Sequence, residues 1–223
     1  MAGRRRLAHD ERRAAILRVA REMFSCRPYA AVSISDIAEA AGVSPPLIVF
    51  YYGTKRSLYL EVLQTAVTSI TEGLRDVPGP PSLDRLRASV RFYAEYAREH
   101  RAGFLSLLRG SGESAIPEAA ALVETLRRQV ADRILADVAA DMPPLDDATR
   151  TTLIVGIRGY LGYVDAAIAL WLDLPDEQRA HVGPDTLADL AVGAFTGTLS
   201  ALTAAAPASS RPGTAGMAGR PDS

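Results

Sequence analysis

Basic side chains concentrate in the first quarter of the chain, where their most direct chemistry is the neutralisation of phosphate groups. Residues 1–56 carry ten Arg or Lys and five Asp or Glu, a balance of +5, whereas the remaining residues have a balance of −6. A basic front on an acidic body predicts that only the front meets a polyanion such as nucleic acid. On composition alone, a chance cluster of solvated charges remains the alternative.

Groups that could perform catalysis or hold a metal ion are scattered along the chain. His9, His100 and His181 lie far apart, and neither an HExxH nor a CxxC spacing occurs. Cys26 follows an apolar helix without a histidine close to it in sequence, so a small buried or half-buried thiol is expected. The sequence therefore predicts a protein that is not an enzyme and that uses neither a metal ion nor a cofactor.

The composition indicates a soluble globular protein of the reducing cytoplasm. Apolar residues make up 48% of the chain, and a single cysteine excludes a disulfide within it. Residues 152–172 are apolar enough to suggest a membrane span, but Arg158 and Asp165 near its middle would be costly in lipid. We expect a buried helix there, with no membrane partner and no secretory signal.

Nearly all of the chain follows helical periodicity, and no alternating runs of Val, Ile or Thr predict strands. We expect a first helix over about 8–25 that ends before Pro28, followed by two short helices. Further helices are expected over about 55–74, 83–99, 102–109, 116–139, 145–173 and 185–205. The predicted fold class is therefore all-α.

The two short helices around Gly42 have the features of a helix-turn-helix. Ser33 is expected to cap the first helix, with Asp36 as the acid of a capping box. Gly42 is expected to form the turn with a positive φ. Ser44 is then expected to cap the second helix, where Pro45 is tolerated in the first turn.

The second short helix has two faces of different character. Val43, Ile48 and Tyr52 can supply a buried face, so the opposite face is free to enter a major groove. That face holds Pro45, Leu47, Phe50 and Tyr51.

The segment VSISDIAEAAGVSPPLIVFYYGTKRSLYLEVL resembles the DNA-binding segment of the tetracycline-repressor (TetR) family of bacterial transcription regulators. The shared pattern is Ser or Thr, then I-A-x-x-A-G-V-S, a small or proline pair, aromatic residues and G-x-K-x-x-L. The resemblance covers about residues 11–62. Val49 and Pro46 depart from the family's usual residues, as do Phe50 and Tyr51, which makes the operator sequence unpredictable without affecting the fold.

The resemblance implies a division of the chain into two domains. Residues 1–56 would form a three-helix DNA-binding domain, with a flexible basic arm at about 1–8. Residues 57–206 would form a larger helical bundle for ligand binding and dimerisation. The Pro- and Gly-rich tail, residues 207–223, is expected to be disordered.

The resemblance also implies roles for single residues in binding double-stranded DNA. Lys55, the one lysine among 24 arginines, would start the fourth helix and contact a backbone phosphate. Ser33, Ser44 and Tyr51 would donate to phosphates, whereas Ser35, Pro45, Leu47 and Phe50 would face base edges beside Pro46. Arg4, Arg5 and Arg6 would reach the minor groove or the backbone, with a solubilising end as the alternative.

The larger bundle is expected to form a homodimer. Residues 185–205 are apolar nearly all round, so one chain can hardly cover both sides of that helix. Gly159, Gly162, Ala166 and Ala167 permit close approach of the preceding helix to a partner. The two helices and their symmetry mates would make a four-helix bundle, and a two-fold dimer predicts a near-palindromic operator.

Polar and aromatic residues within the bundle are candidates for a small-molecule pocket: Tyr93, Tyr96, Phe104, Arg158, Tyr163, Asp165 and Trp171. Placement in an ordinary core is the alternative for the aromatic residues. Arg158 and Asp165 lie two turns apart on one side of a helix, where a structural salt link is the alternative to ligand binding. No pattern identifies the effector.

Together these features predict a sequence-specific DNA-binding transcriptional regulator, expected to be a repressor that a small-molecule effector releases from DNA. One alternative is a regulator that activates transcription or senses no ligand. Another is a helical small-molecule-binding protein or enzyme whose basic front is incidental.

Overall fold

The computed structural model describes residues 2–108, 116–140, 142 and 144–205, and no strand occurs among them. A 3₁₀ turn, Tyr29–Ala31, lies between the first two helices. The helices are α1 (Ala2–Cys26), α2 (Ile34–Ala41), α3 (Pro45–Tyr52), α4 (Lys55–Asp76), α5 (Leu83–Glu99), α6 (Arg101–Leu108), α7 (Pro117–Ala139), α8 (Asp147–Asp173), α9 (Asp176–Ala180) and α10 (Pro184–Ala205). The predicted all-α class is confirmed.

Two elements differ from the sequence expectations. Helix α1 begins at Ala2, earlier than the start expected near residue 8, and the flexible basic arm at about 1–8 stays a prediction. Ala, Arg and Leu dominate that stretch, and these are strong helix formers. The second difference is α9, a short helix in a predicted loop, with Asp176 and Glu177 in its first turn, where acids stabilise a helix N-terminus. The predicted disordered tail lies outside the described residues.

A first hydrophobic core unites α1 to α3 with the beginning of α4. Ile16, Ile37, Ile48 and Leu58 are fully buried in it. We call this part of the chain, residues 9–63, the head. Ala119 from α7 also belongs to this core, so the head is packed directly against the rest of the protein.

The turn between α2 and α3 follows the local chemistry of its sequence. The hydroxyl oxygen of Ser33 accepts from the backbone N–H of Asp36 at 3.0 Å, and the Asp36 carboxylate accepts from the Ser33 N–H at 2.9 Å. Gly42 has φ of 63°, a left-handed conformation that favours glycine. The predicted capping box and turn are therefore present.

Ser44 occupies the predicted N-cap position of α3, but its side chain makes no capping hydrogen bond. The usual donors are the N–H groups of the second and third helical residues. Pro46 has no N–H, and the Leu47 N–H donates to the Ser44 carbonyl at 3.0 Å. Pro46 therefore removes one of the two donors, and the other pairs with the Ser44 carbonyl, which leaves the Ser44 hydroxyl outside the cap.

A second hydrophobic core forms where α5, α8 and α10 pack together, with α6 beside them. Ala94, Ile168, Leu172 and Ala188 are fully buried at its centre. We call residues 83–201 the body. Helix α8 is long and apolar enough to cross a membrane, but here one side of it is packed into this core. The predicted reading of residues 152–172 as a core helix fits that packing.

One face of α8 and α10 is left uncovered by the residues that the structure describes. Val155 and Leu170 on α8 are 67% and 70% exposed, and Leu190 on α10 is 54% exposed. A Cβ added at Gly159 or Gly162 would meet nothing within 4 Å. This broad apolar face lies on the two helices expected to pair with a second copy.

Candidate nucleic-acid interface and internal cavity

Helix α3 presents an exposed apolar surface at the edge of the head. Ile48 and Tyr52 point into the head core, as the sequence predicts. Pro45 and Pro46 are exposed, and Phe50 is 71% exposed. The face expected to enter a major groove is therefore accessible, which is required for base contact.

Three further residues of α3 differ in exposure from the sequence expectation or add to the exposed surface. Leu47, expected on the free face, is half-buried, whereas Val49 is half-exposed and joins the apolar surface. Tyr51 is also half-buried, because its ring packs edge-on against His9 at 4.7 Å between centroids. His9 is 42 residues away in sequence, so no local pattern indicates this contact.

A set of contacts between three helices fixes the orientation of α3. The Arg13 Nη2 donates to both carboxylate oxygens of Glu61 at 2.6 Å, which joins α1 to α4. The Tyr52 hydroxyl donates to the Arg13 carbonyl at 2.6 Å, and the Arg13 guanidinium lies 4.9 Å from the centre of the Tyr52 ring. Burial raises the pKa of Tyr52 to about 12, so the hydroxyl remains a donor at neutral pH.

Removing the Tyr52 hydroxyl tests this arrangement. We expect Tyr52→Phe to lower the free energy of unfolding by about 1 kcal/mol, because one partly buried hydrogen bond is lost. Urea denaturation at fixed protein concentration measures the change. Tyr51→Phe is the matched control, since the Tyr51 hydroxyl makes no hydrogen bond among the described residues. Equal stability of the two variants would show that the Tyr52–Arg13 bond contributes nothing.

Lys55 begins α4 at the same edge of the head. Thr54 caps the helix, accepting from the Ser57 N–H at 3.0 Å. The Lys55 ammonium lies 4.1 Å from the centre of the Tyr29 ring, a cation–π distance. Burial lowers the pKa of Lys55, and the nearby Asp36 carboxylate opposes that shift. The ammonium is thus held in a fixed place beside a helix N-terminus, where an anion is favoured.

The other predicted DNA contacts lie on the head and in the first turns of α1. Ser33, Ser35 and Ser44 are exposed. Arg4, Arg5 and Arg6 lie in the first turns of α1, and their side chains are outside the described ones. Contact of all these residues with DNA stays a prediction.

A cavity of about 620 Å³ lies between the head-distal part of α4 and the helices of the body. Helices α5, α7 and α8 provide most of its wall, and Phe195 of α10 completes it. The lining is predominantly aliphatic: Ile70, Leu74, Leu86, Val90, Val123, Leu126, Val130, Ile134, Val138, Leu161 and Val164.

Three side chains from three helices form a polar cluster in the cavity wall. Asp165 of α8 is 8% exposed. Its Oδ1 accepts from the Tyr93 hydroxyl at 2.9 Å, and its Oδ2 accepts from the Arg127 Nε at 2.8 Å and Nη2 at 2.7 Å. Burial and the adjacent Asp165 carboxylate raise the pKa of Tyr93 well above its usual value, so Tyr93 stays a neutral donor.

The structure separates Arg158 from Asp165. Arg158 is exposed and lines neither cavity, whereas Asp165 is buried and pairs with Arg127 of α7. Asp165 therefore makes a structural salt link, the alternative to ligand binding, but its partner is Arg127. Ligand binding by Arg158 and Asp165 stays a prediction. They share a side of α8, but α7 contributes the cation at the Asp165 end of that side.

The other pocket candidates divide into three groups. Tyr96 and Phe104 line a smaller cavity of about 90 Å³ between the head and the body, which Tyr93 also borders. Trp171 is buried, and its Nε1–H donates to the Val182 carbonyl at 2.6 Å, a structural role. Tyr163 is exposed on α8 outside both cavities.

Two residues that line the large cavity were not among the candidates predicted from the sequence. Arg127 looked like one of many solvated arginines on a long helix, and only its tertiary partner distinguishes it. Tyr160 is 4% exposed, lines the large cavity and has a buried hydroxyl without a hydrogen-bond partner among the described residues. An aromatic residue on the buried side of an apolar helix was the one available signal for Tyr160.

Two family models match separate parts of the chain. The model described as bacterial regulatory proteins of the tetR family matches residues 16–62, which include α2, α3 and the start of α4. The model described as a tetracyclin repressor-like C-terminal domain matches residues 83–197, from α5 into α10.

Related regulators align with parts of the chain. The HTH-type transcriptional activator FasR of Mycolicibacterium smegmatis is 30% identical over 138 residues, which are 61% of this chain and 63% of FasR. The HTH-type transcriptional regulator EthR of Mycobacterium tuberculosis is 32% identical over 106 residues, 45% of this chain and 49% of EthR. The chain thus spans less than two thirds of the length of these curated relatives.

A solved structure extends the similarity to most of the chain. The crystal structure of a tetR-family transcriptional regulator from Streptomyces coelicolor superimposes with a TM-score of 0.75 at 29% identity. The superposition covers 87% of this chain and 83% of that one. With both family models matched in order, and a capped helix-turn-helix joined to a cavity-bearing helical body, this chain belongs to the tetR family of bacterial regulatory proteins.

Proposed function

We propose that the chain is a dimeric, sequence-specific DNA-binding repressor that leaves its operator when a small molecule binds in the body. The observation that carries this proposal is an accessible α3 surface and a large cavity in one chain, connected by helices that contribute to both. Membership of a family of regulatory proteins supports it. The protein would act in the cytoplasm and without enzymatic chemistry.

The surface of α3 suits a particular kind of base recognition. Pro45, Val49 and Phe50 offer apolar contacts to thymine methyl groups and supply few hydrogen bonds. Ser33, Ser44 and Lys55 lie on the same head and would contact backbone phosphates. Sequence preference would therefore depend on methyl contacts and DNA shape more than on bidentate hydrogen bonds.

Two helices offer a physical route from the cavity to the head. Helix α4 begins with Lys55 and later lines the cavity with Ile70 and Leu74. Helix α7 contributes Ala119 to the head core, while Glu118 is hydrogen-bonded to Arg56 of α4. Farther along, α7 lines the cavity. A ligand that displaces α4 or α7 at the cavity would therefore shift the head. In a dimer this shift would change the spacing of the two heads.

The sign of regulation has two candidates. The second family model is named for a repressor, whereas FasR is named as an activator. Release of the protein by a ligand fits repression more simply, because occupancy of the promoter then ends when the effector arrives. A reporter gene behind the selected operator distinguishes the two by whether expression falls or rises when the protein is present.

Replacing Lys55 tests the DNA-binding part of the proposal. We expect Lys55→Ala to weaken binding to all duplex sequences and to reduce the slope of log affinity against log salt by about one, because one phosphate contact is lost. Fluorescence anisotropy with an operator selected from random DNA measures both quantities. Arg150→Ala, at an exposed position on α8 in the body, is the matched control.

Two outcomes would contradict this view. Full affinity with an unchanged salt slope in Lys55→Ala would remove Lys55 from the phosphate role. Absence of any duplex binding by the unaltered protein at low salt would favour the alternative, a small-molecule-binding protein with an incidental basic front.

A further inference from the structure

The cavity has a definite direction because the helices that line it run away from the head. Helix α7 lines it from Val123 to Val138, a rise of about 22 Å over fifteen residues. Ile70 and Leu126 are buried near the head. Arg75, Leu83 and Arg133 are exposed farther from it. The space is therefore elongated, with an apolar inner part and a more accessible head-distal end.

The charges that line the cavity do not cancel. Two pairs neutralise each other: Arg127 with Asp165 at 2.7 Å, and Arg85 with Asp137 at 3.8 Å. Arg75 and Arg133 are the remaining charged groups of the lining, and neither forms an ion pair with a carboxylate among the described residues. The excess of two positive charges lies at the accessible end, where it attracts an anion. A guanidinium also matches the geometry of a carboxylate or phosphate.

Tyr160 adds a requirement in the interior. It precedes Asp165 on α8 by five residues, about 7.5 Å, and α8 runs antiparallel to α7, so Tyr160 lies between the polar cluster and the basic end. Its buried hydroxyl has no partner among the described residues, although buried hydroxyls are normally hydrogen-bonded. Burial raises its pKa, which keeps it a neutral donor. The hydroxyl oxygen itself is shielded from the cavity in this structure, so a ligand oxygen would satisfy it after a side-chain movement that brings the two into contact.

We propose that the effector is an elongated organic acid whose apolar body fills the cavity, with an anionic group held by Arg75 and Arg133. Part-way along the body, an oxygen atom accepts a hydrogen bond from the Tyr160 hydroxyl. This inference rests on the proposed function, in which the cavity holds the effector, and it specifies the chemical class. A cationic or purely hydrocarbon molecule would leave either the arginines or the phenol without a partner.

Alkyl compounds of equal length with different headgroups test whether the ligand must carry an anionic group. Isothermal titration calorimetry on the full chain, below micelle-forming concentrations, compares dodecanoate, dodecanol and dodecylamine. We expect dodecanoate to bind about tenfold more tightly than dodecanol, because charge-assisted hydrogen bonds are gained, and dodecylamine to bind most weakly. Dodecyl phosphate shows whether the arginines favour a phosphate over a carboxylate. Equal binding of the alcohol or the amine, or no binding by any probe, would overturn the proposal.

Variants assign the effect to the named residues. We expect Arg75→Gln with Arg133→Gln to reduce dodecanoate affinity to that of dodecanol and to leave dodecanol binding unchanged. The control pair, Arg128→Gln with Arg150→Gln, removes two exposed arginines outside the cavity and should change neither affinity. Equal acid binding by the two double variants would refute the role of the basic end.

A ketone probe tests Tyr160. Dodecanoate with a mid-chain ketone is expected to bind several-fold more tightly than plain dodecanoate, and Tyr160→Phe should abolish that preference without weakening the plain acid. If Tyr160→Phe still prefers the ketone-bearing acid, or if the unaltered protein shows no such preference, the Tyr160 hydroxyl does not donate a hydrogen bond to the ligand.

Operator release separates this inference from the proposed function. If an acid binds in the expected pattern but leaves DNA occupancy unchanged, the ligand class is supported and release of the protein from DNA by the ligand is contradicted. If an amine or a neutral molecule binds in the cavity and releases the protein from DNA, the proposed function is supported and the acidic ligand class is contradicted.

Discussion

Arg127→Met is expected to lower the free energy of unfolding by about 3 kcal/mol, although Arg127 looks in sequence like an ordinary surface residue. The Asp165 carboxylate is buried and accepts two hydrogen bonds from Arg127, so the variant leaves it with the Tyr93 hydroxyl alone. A buried charge without its counter-ion is among the largest single destabilising changes in a protein core. Urea denaturation at fixed protein concentration measures the loss.

The adjacent arginine provides the control. Arg128 is exposed on the same helix, and Arg128→Met is expected to change stability by less than about 0.5 kcal/mol. Adding Asp165→Leu to Arg127→Met should restore much of the loss, because the stranded charge is gone. If Arg127→Met costs no more than Arg128→Met, or if the double variant is the less stable of the two, the pair does not stabilise the body in this way.

Local chemistry explains what was predictable in the head. The Ser33–Asp36 capping box and the Gly42 turn depend on residues within a few positions of one another, and both are present. The buried side of α3 follows from the spacing of Ile48 and Tyr52. Ser44 is the instructive exception, since Pro46 lacks one of the two usual donors and the Leu47 N–H pairs with the Ser44 carbonyl instead of its hydroxyl.

Tertiary partners explain what was not predictable. Helical periodicity places Arg158 and Asp165 on one side of α8, yet it cannot say which stretch of that side a neighbouring helix covers. Arg127 lies 38 residues from Asp165 along the chain, and the two meet only because α7 packs against α8. The cavity likewise depends on how neighbouring helices diverge, and the residue pattern of a single helix does not predict that divergence. For this reason its basic end and the Tyr160 hydroxyl emerge only from the folded chain.

The two cavities suggest how the polar cluster takes part in coupling. Tyr93 borders both the large cavity and the small one between the head and the body, as do Ile70, Val123 and Leu126. A ligand that displaces Tyr93 from Asp165 would therefore open space toward the head. Helices α4 and α7 supply three of these four residues and also reach the head, so a shift there would be transmitted through both.

Leu170→Asp is expected to convert the proposed dimer to monomers and to weaken operator binding by about a hundredfold or more, because a single head loses the second half-site. Leu170 is 70% exposed on the face of α8 that also carries Val155, Gly159 and Gly162. An aspartate there would place a charge in the centre of an apolar interface, where desolvation opposes association. Sedimentation velocity at micromolar concentration gives the oligomeric state, and anisotropy gives the affinity.

The control and a second variant separate loss of the dimer from loss of the fold. Ala121→Asp introduces the same charge at an exposed position of α7 and should leave both mass and affinity unchanged. Leu190→Asp on α10 should reproduce the effect of Leu170→Asp, because both helices are expected to pair with their symmetry mates. Both monomeric variants should keep helical circular dichroism and a cooperative melt. A dimer of normal operator affinity in either variant would place the interface elsewhere, and the four-helix pairing of α8 and α10 would then be wrong.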